Sequence, residues 1–68
     1  MDTIDARGLS CPQPVIMVTR AVVEGKTEFT VLVDSEASFE NVTRYLESKK
    51  YTCKTEEKDD HTVISASK

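Results

Sequence analysis

The run Glu28-Phe29-Thr30-Val31-Leu32-Val33 constrains the fold more than any other stretch of the chain. Phe29, Val31 and Val33 fall on one side of a strand, and Leu32 points to the other. From residue 31 to residue 33 the run is apolar on both faces, the pattern of a central strand. Such a strand needs neighbours on each side and a layer to cover it. The rest of a 68-residue chain must supply both.

The other segments read accordingly. Residues 2 to 7 alternate, with Ile4 and Ala6 on one face, and predict a short strand that Gly8 ends. Residues 12 to 24 predict a helix with Val15, Ile16, Val18, Thr19, Val22 and Val23 on one broad side. Gln13, Met17, Arg20 and Glu24 fall on the other side, and Gly25 is the stop. The β-branched content of this helix is high and its propensity poor, so burial against a sheet must hold it. Asp34-Ser35 offers N-cap chemistry for a second helix over 36–49, with Phe39, Val42 and Leu46 on one stripe and Tyr45 at its margin. Lys49 and Lys50 suit the negative end of its dipole. Residues 51–57 and 62–66 predict two strands joined by Lys58-Asp59-Asp60-His61, a turn without an Asn-Gly or Asp-Gly signal.

The order β-α-β-α-β-β implies an α/β (α+β) two-layer sandwich over residues 1–68, read as one domain. Its first β-α-β gives parallel strands with a right-handed crossover. Two helices then cover one face of a four-stranded mixed sheet. A domain of this size buries only roughly 60% of its unfolded surface, so modest stability is expected.

Nine basic against twelve acidic residues give a net charge of −3, which disfavours direct nucleic-acid binding. Trp is absent and the aromatics are dispersed, leaving no stacking platform. No apolar run nears the roughly 20 residues of a membrane span. The first residues, Met-Asp-Thr-Ile-Asp, lack the layout of a signal peptide, so a cytoplasmic location is expected. The two cysteines, Cys11 and Cys53, stand 42 positions apart, which is neither a zinc pattern nor a Cys-x-x-Cys pair. Neither a metal nor a cofactor is expected.

Cys11 is the residue with chemistry. If the second segment's helix begins at Pro12, neither Pro12 nor Pro14 costs a hydrogen bond, because the first four N–H groups have no intrahelical partner. Cys11 is then the N-cap, with its sulfur at the positive end of the dipole, where a thiolate is favoured. The prolines also remove N–H groups that could grip the sulfur, leaving a rigid but accessible thiol. The plain alternative is a buried filler at a helix start. Strand, glycine turn, cap cysteine and a doubly rigidified first turn favour the reactive site.

The stretch Asp5-Ala6-Arg7-Gly8-Leu9-Ser10-Cys11-Pro12-Gln13-Pro14-Val15 resembles the signature of the TusA family of small sulfur carriers, also called SirA-like. The resemblance extends over essentially the whole chain. Val33-Asp34-Ser35-Glu36-Ala37 with Glu40-Asn41-Val42 is most similar to the YedF branch, linked to selenium metabolism. The resemblance implies that Cys11 carries sulfur as a persulfide. It implies a donor, either a cysteine desulfurase, a rhodanese-like protein or thiosulfate. It also implies an acceptor: a sulfur-transfer protein, an enzyme or a membrane sulfur-compound transporter.

Around the thiol, Asp5 and Arg7 have two readings. Arg7 attracts an anionic donor or steadies the thiolate, or the two make a surface ion pair of little worth. Gly8 serves backbone geometry. Asp34 is expected as a cap or turn residue, Cys53 as an inward-facing strand residue and His61 as a surface residue. No base or triad accompanies the thiol, which suits a carrier whose chemistry is finished in its partners' active sites. Two rivals stand beside that reading: a self-sufficient sulfurtransferase using thiosulfate, and a selenium-associated binding module in which Cys11 is incidental.

Overall fold

The computed structural model describes residues 2–9 and 13–68, Asp2 by its backbone alone. Its elements are β1 (Asp2–Asp5), α1 (Gln13–Val23), β2 (Glu28–Val33), α2 (Glu36–Ser48), β3 (Thr52–Glu57) and β4 (Thr62–Ser67). They form one four-stranded sheet in the order β1-β2-β4-β3. β1 runs parallel to β2, with Ile4 opposite Val31. β4 is antiparallel to both β2 and β3. The β-α-β-α-β-β order and the mixed sheet agree with the sequence reading, and β2 is central.

Phe29, Val31 and Val33 are fully buried, as their alternation requires. They share one core cluster with Ala6, Val18, Ala21, Val42, Leu46, Tyr51, Ile64 and Ala66. Both helices contribute to that single cluster, so both lie on the same face of the sheet. Phe29 meets the Tyr51 ring edge-on, with centroids 5.6 Å apart and planes at 63°. The Tyr51 hydroxyl donates to the Lys26 carbonyl, tying the start of β3 to the α1–β2 turn.

The buried face of α1 differs from the one read off its apolar residues. Pro14, Val18 and Ala21 are the buried positions, while Ile16 and Val23 are 47% and 78% exposed. At 100° per residue, 14, 18 and 21 lie within one narrow arc, and 16 and 23 lie nearly opposite. Counting apolar residues had weighted Ile16 and Val23 and passed over Pro14 and Ala21. Met17, placed on the wet side, packs against the core. β1 ends at Asp5, although the Ala6 N–H still donates to the Leu32 carbonyl at 2.9 Å. Tyr51 precedes β3 rather than opening it, because its N–H closes α2.

Both helices end in the same way. At Gly25 (φ 82°) the N–H donates to Val22 and that of Lys26 reaches back to Ala21. At Lys50 (φ 70°) the N–H donates to Glu47 and that of Tyr51 to Leu46. These are paired Schellman bonds, and both need a left-handed residue. Glycine meets that need in one helix and lysine in the other. A left-handed lysine costs roughly 1–2 kcal/mol, and glycine in its place gives back about 0.5–1 kcal/mol through unfolded-chain entropy. Lys50→Gly should therefore raise the thermal midpoint slightly, whereas Lys50→Val should lower it, since a β-branched residue is a true outlier there. Thermal unfolding of the two variants beside the wild type checks this, and a lower midpoint for Lys50→Gly would contradict it.

The α2 start follows expectation. Ser35 is the N-cap, and its Oγ accepts the Ser38 N–H at 3.1 Å. The β3–β4 turn is closed by the Lys58 N–H donating to the His61 carbonyl at 2.8 Å. Neither Asp59 nor Asp60 has a positive φ, so the turn is neither primed type.

Candidate functional site

The sheet register brings one set of chain ends together. β1 and β2 finish at the same edge of the sheet, where β3 ends and β4 begins. The segment after β1, the start of α2 and the 58–61 turn all gather there. Cys11, Ser10 and Pro12 lie outside the described residues, and with them the expected N-cap role of Cys11. The site is therefore built from its two flanks.

On the N-terminal flank, three successive backbone amides are each held by a different partner. The Ala6 N–H donates to the Leu32 carbonyl at 2.9 Å. The Arg7 N–H donates to Asp5 Oδ1 at 3.1 Å. The Gly8 N–H donates to Asp34 Oδ2 at 2.7 Å. Ala6 is buried, which fixes the base of the segment in the core. Gly8 then turns the chain with φ 75°. A Cβ there would meet nothing within 4 Å, so glycine is required by the backbone conformation and not by space.

Asp5 and Arg7 form a two-pronged pair. Nε donates to Oδ1 at 2.9 Å and Nη2 to Oδ2 at 3.0 Å. The guanidinium bonds, and then the Arg7 backbone bond, hold the Asp5 carboxyl down to about 2. The same bond pushes the Arg7 pKa up, with Asp60 and Asp34 adding to the field. Both partners are thus charged throughout the neutral range. The ion pair of the two readings is present, and the reading in which Arg7 steadies the thiolate falls on Cys11, outside the described residues.

On the C-terminal flank, α1 starts at Gln13, and Pro14 is fully buried. Pro14 sits inside the first turn, where no donor is lost, as expected. Its burial adds a packing role that the cap argument did not contain: the ring anchors the first turn to the core.

Asp34 is the residue whose role sequence reasoning missed. Ser35 performs the capping, and the Asp34 carboxylate reaches across 26 positions to Gly8. Pairing across that distance leaves no mark in local spacing. Asp34 also lines a groove of about 580 Å³ between the α2 start and the 58–61 turn, with Phe39, Thr55 and His61. His61 is at the surface as expected but partly covered: its side chain is 18% exposed, and its Nδ1 lies 2.6 Å from Asp60 Oδ1.

Cys53 faces inward from β3 and packs against the core, opposite Ala66. Burial, with a smaller push from Glu47, raises its thiol pKa. It is the less reactive kind of thiol. Among the described residues, no three His, Cys, Asp or Glu side chains stand close enough to hold a metal ion. Among the same residues, no helix is long and apolar enough to cross a membrane.

The family model described as Sulfurtransferase TusA matches residues 2–68. The chain belongs to the TusA family. A sulfur-carrier role, in relay with other sulfur-transfer proteins, comes with that membership. The crystal structure of a SirA-like protein from Desulfitobacterium hafniense is similar to this TusA-family chain. It is 37% identical, with 98% of this chain and 96% of that one covered and a TM-score of 0.89. Among curated proteins, none matches the chain.

Proposed function

We propose that this TusA-family protein accepts sulfur on Cys11 as a persulfide and relays it to a partner. The observation that carries this reading is the bracket around position 11. Three pinned amides precede it, and a helix anchored through Pro14 follows it. A thiol handed between proteins needs the chain on either side of it to be held, and the two flanks are held in this way. Asp5, Arg7, Gly8, Pro12 and Pro14 are its supporting residues. Cys53, packed inward with its thiol pKa raised, is the poorer candidate.

The transfer is an exchange between sulfurs. Cys11 loses its proton, and its thiolate attacks the outer sulfur of the donor persulfide. A new S–S bond forms at Cys11, and the donor's own S–S bond breaks. The donor leaves as a thiolate, which takes up a proton. The reverse exchange hands the sulfur to the acceptor, and no outside oxidant or reductant is consumed. Donor and acceptor must reach the same sulfur, so they bind alternately. The donor is a cysteine desulfurase or a rhodanese-like protein, and the acceptor a sulfur-transfer protein or enzyme. The residues from Val33 to Ala37 support a place nearest the YedF branch, with the protein acting in the cytoplasm.

The test is sulfur loading followed by intact mass. After incubation with a cysteine desulfurase and cysteine, the chain should gain the mass of one sulfur atom, removable by dithiothreitol. No gain would sink the carrier reading. Gain and catalytic turnover with thiosulfate and a small thiol alone would favour the self-sufficient sulfurtransferase.

A further inference from the structure

We infer that Asp34 is a positioning residue for sulfur exchange, acting through the Gly8 amide to set the direction in which the chain leaves β1 toward Cys11. The inference rests on the carrier reading and deepens it. Its basis is the 2.7 Å bond from the Gly8 N–H to Asp34 Oδ2, which joins the end of β2 to the segment after β1.

Three observations separate this from ordinary helix capping. The cap of α2 is Ser35, whose Oγ takes the Ser38 N–H, so α2 does not need the Asp34 side chain for that purpose. Gly8 is exposed, so water could satisfy its N–H without Asp34, and stability does not demand the bond. The bond falls on the one residue of this segment with a left-handed φ. A glycine there has a wide choice of conformations, and a single charge-assisted bond selects one of them.

The neighbouring restraints leave Gly8 as the deciding joint. Ala6 is fixed by burial and by Leu32, and Arg7 by the two-pronged Asp5 pair. The first acts before the turn, and the second at its first residue, Arg7. Among the described residues, Asp34 is the one that bonds the Gly8 amide, three positions before Cys11. Its anchor is stiff, because it stands between the fully buried Val33 and the N-cap Ser35. Losing the bond frees the φ and ψ of Gly8 without disturbing the core. The thiol then keeps its chemistry and loses its fixed presentation to a large partner.

The test compares wild type, Asp34→Ala and Asp34→Asn as full chains. Asparagine keeps an acceptor oxygen in place, and alanine does not. Three quantities are read: the rate of sulfur loading from a cysteine desulfurase, the rate of Cys11 alkylation by iodoacetamide, and the ¹⁵N–¹H amide spectrum. For Asp34→Ala we expect loading about tenfold slower and alkylation within about twofold of wild type, since misplacement penalises only geometry-dependent steps. The amides of Arg7, Gly8 and Leu9 should shift while those of β3 and β4 stay put. Asp34→Asn should recover most of the loading rate. Asp34→Ala loading at the wild-type rate overturns the inference, and so does Asp34→Asn as slow as Asp34→Ala. If wild type itself takes up no sulfur, the carrier reading falls. The role in sulfur exchange falls with it, and the amide spectrum then decides only the structural half: unmoved Arg7, Gly8 and Leu9 amides in Asp34→Ala overturn the direction of the segment by Asp34, and shifted ones sustain it.

Discussion

Phe29→Ala is expected to remove about a third or more of the folding stability of the chain. Phe29 is fully buried on the central strand, with Ala66 of β4 beside it and Asp2 of β1 on the other flank. Emptying such a site costs about 3–5 kcal/mol. A chain of 68 residues has a total stability of roughly 3–10 kcal/mol. The loss is about a third of that total at the least. Tyr51 adds to it, because its edge-on contact with Phe29 disappears. Leu32→Ala, on the half-buried opposite face of the same strand, should cost clearly less. Urea unfolding followed by circular dichroism measures both. A Phe29→Ala midpoint close to that of wild type would mean that the inner face of the sheet has been misassigned.

The second large effect is on function. Cys11→Ser should reduce sulfur loading to background, and Cys53→Ser should leave it nearly at the wild-type rate. A serine hydroxyl has no accessible anion at neutral pH and forms no stable bond to a sulfane sulfur. Cys53 is poorly suited to take over, because partial burial pushes its thiol pKa up and its side chain packs against the core. The thiolate is the nucleophile, so a raised pKa removes reactive species directly. Loading rates of the two variants, measured with the same desulfurase, separate the thiols. Loading lost in Cys53→Ser and kept in Cys11→Ser would reverse the assignment.

Much of the fold was legible because it rests on local patterns. The alternation of Phe29, Val31 and Val33 located the central strand. Gly25 and Ser35 marked a helix end and a helix start through their own backbone and side-chain chemistry. The α1 face was misread because Ile16 and Val23 are apolar by type and exposed by position. Their exposure follows from how α1 lies on the sheet, which residue type alone does not carry. Lys50 gave no sign of its left-handed conformation, since only its place after Lys49, between helix and strand, demands it.

The site divides in the same manner. Asp5 and Arg7 lie two positions apart, and their pairing grows from neighbouring residues. Asp34 and His61 are brought to the same rim by strand register, with Val33 opposite Thr62. That juxtaposition exists only once the sheet is assembled. The motif around Cys11 was readable as chemistry, and its flanks show how the chain before and after it is held.

The claim that Cys11 is the sulfur-bearing atom's home has one direct measurement. Trypsin separates the two thiols, since cleavage after Arg7, Arg20, Lys50 and Lys54 places Cys11 in residues 8–20 and Cys53 in residues 51–54. The protein is loaded with a desulfurase and cysteine, trapped with iodoacetamide, digested and sequenced by tandem mass spectrometry. The account predicts the additional sulfur atom in the 8–20 peptide, on Cys11, and none in 51–54. Sulfur found on Cys53, with Cys11 carrying only the alkyl group, would contradict it.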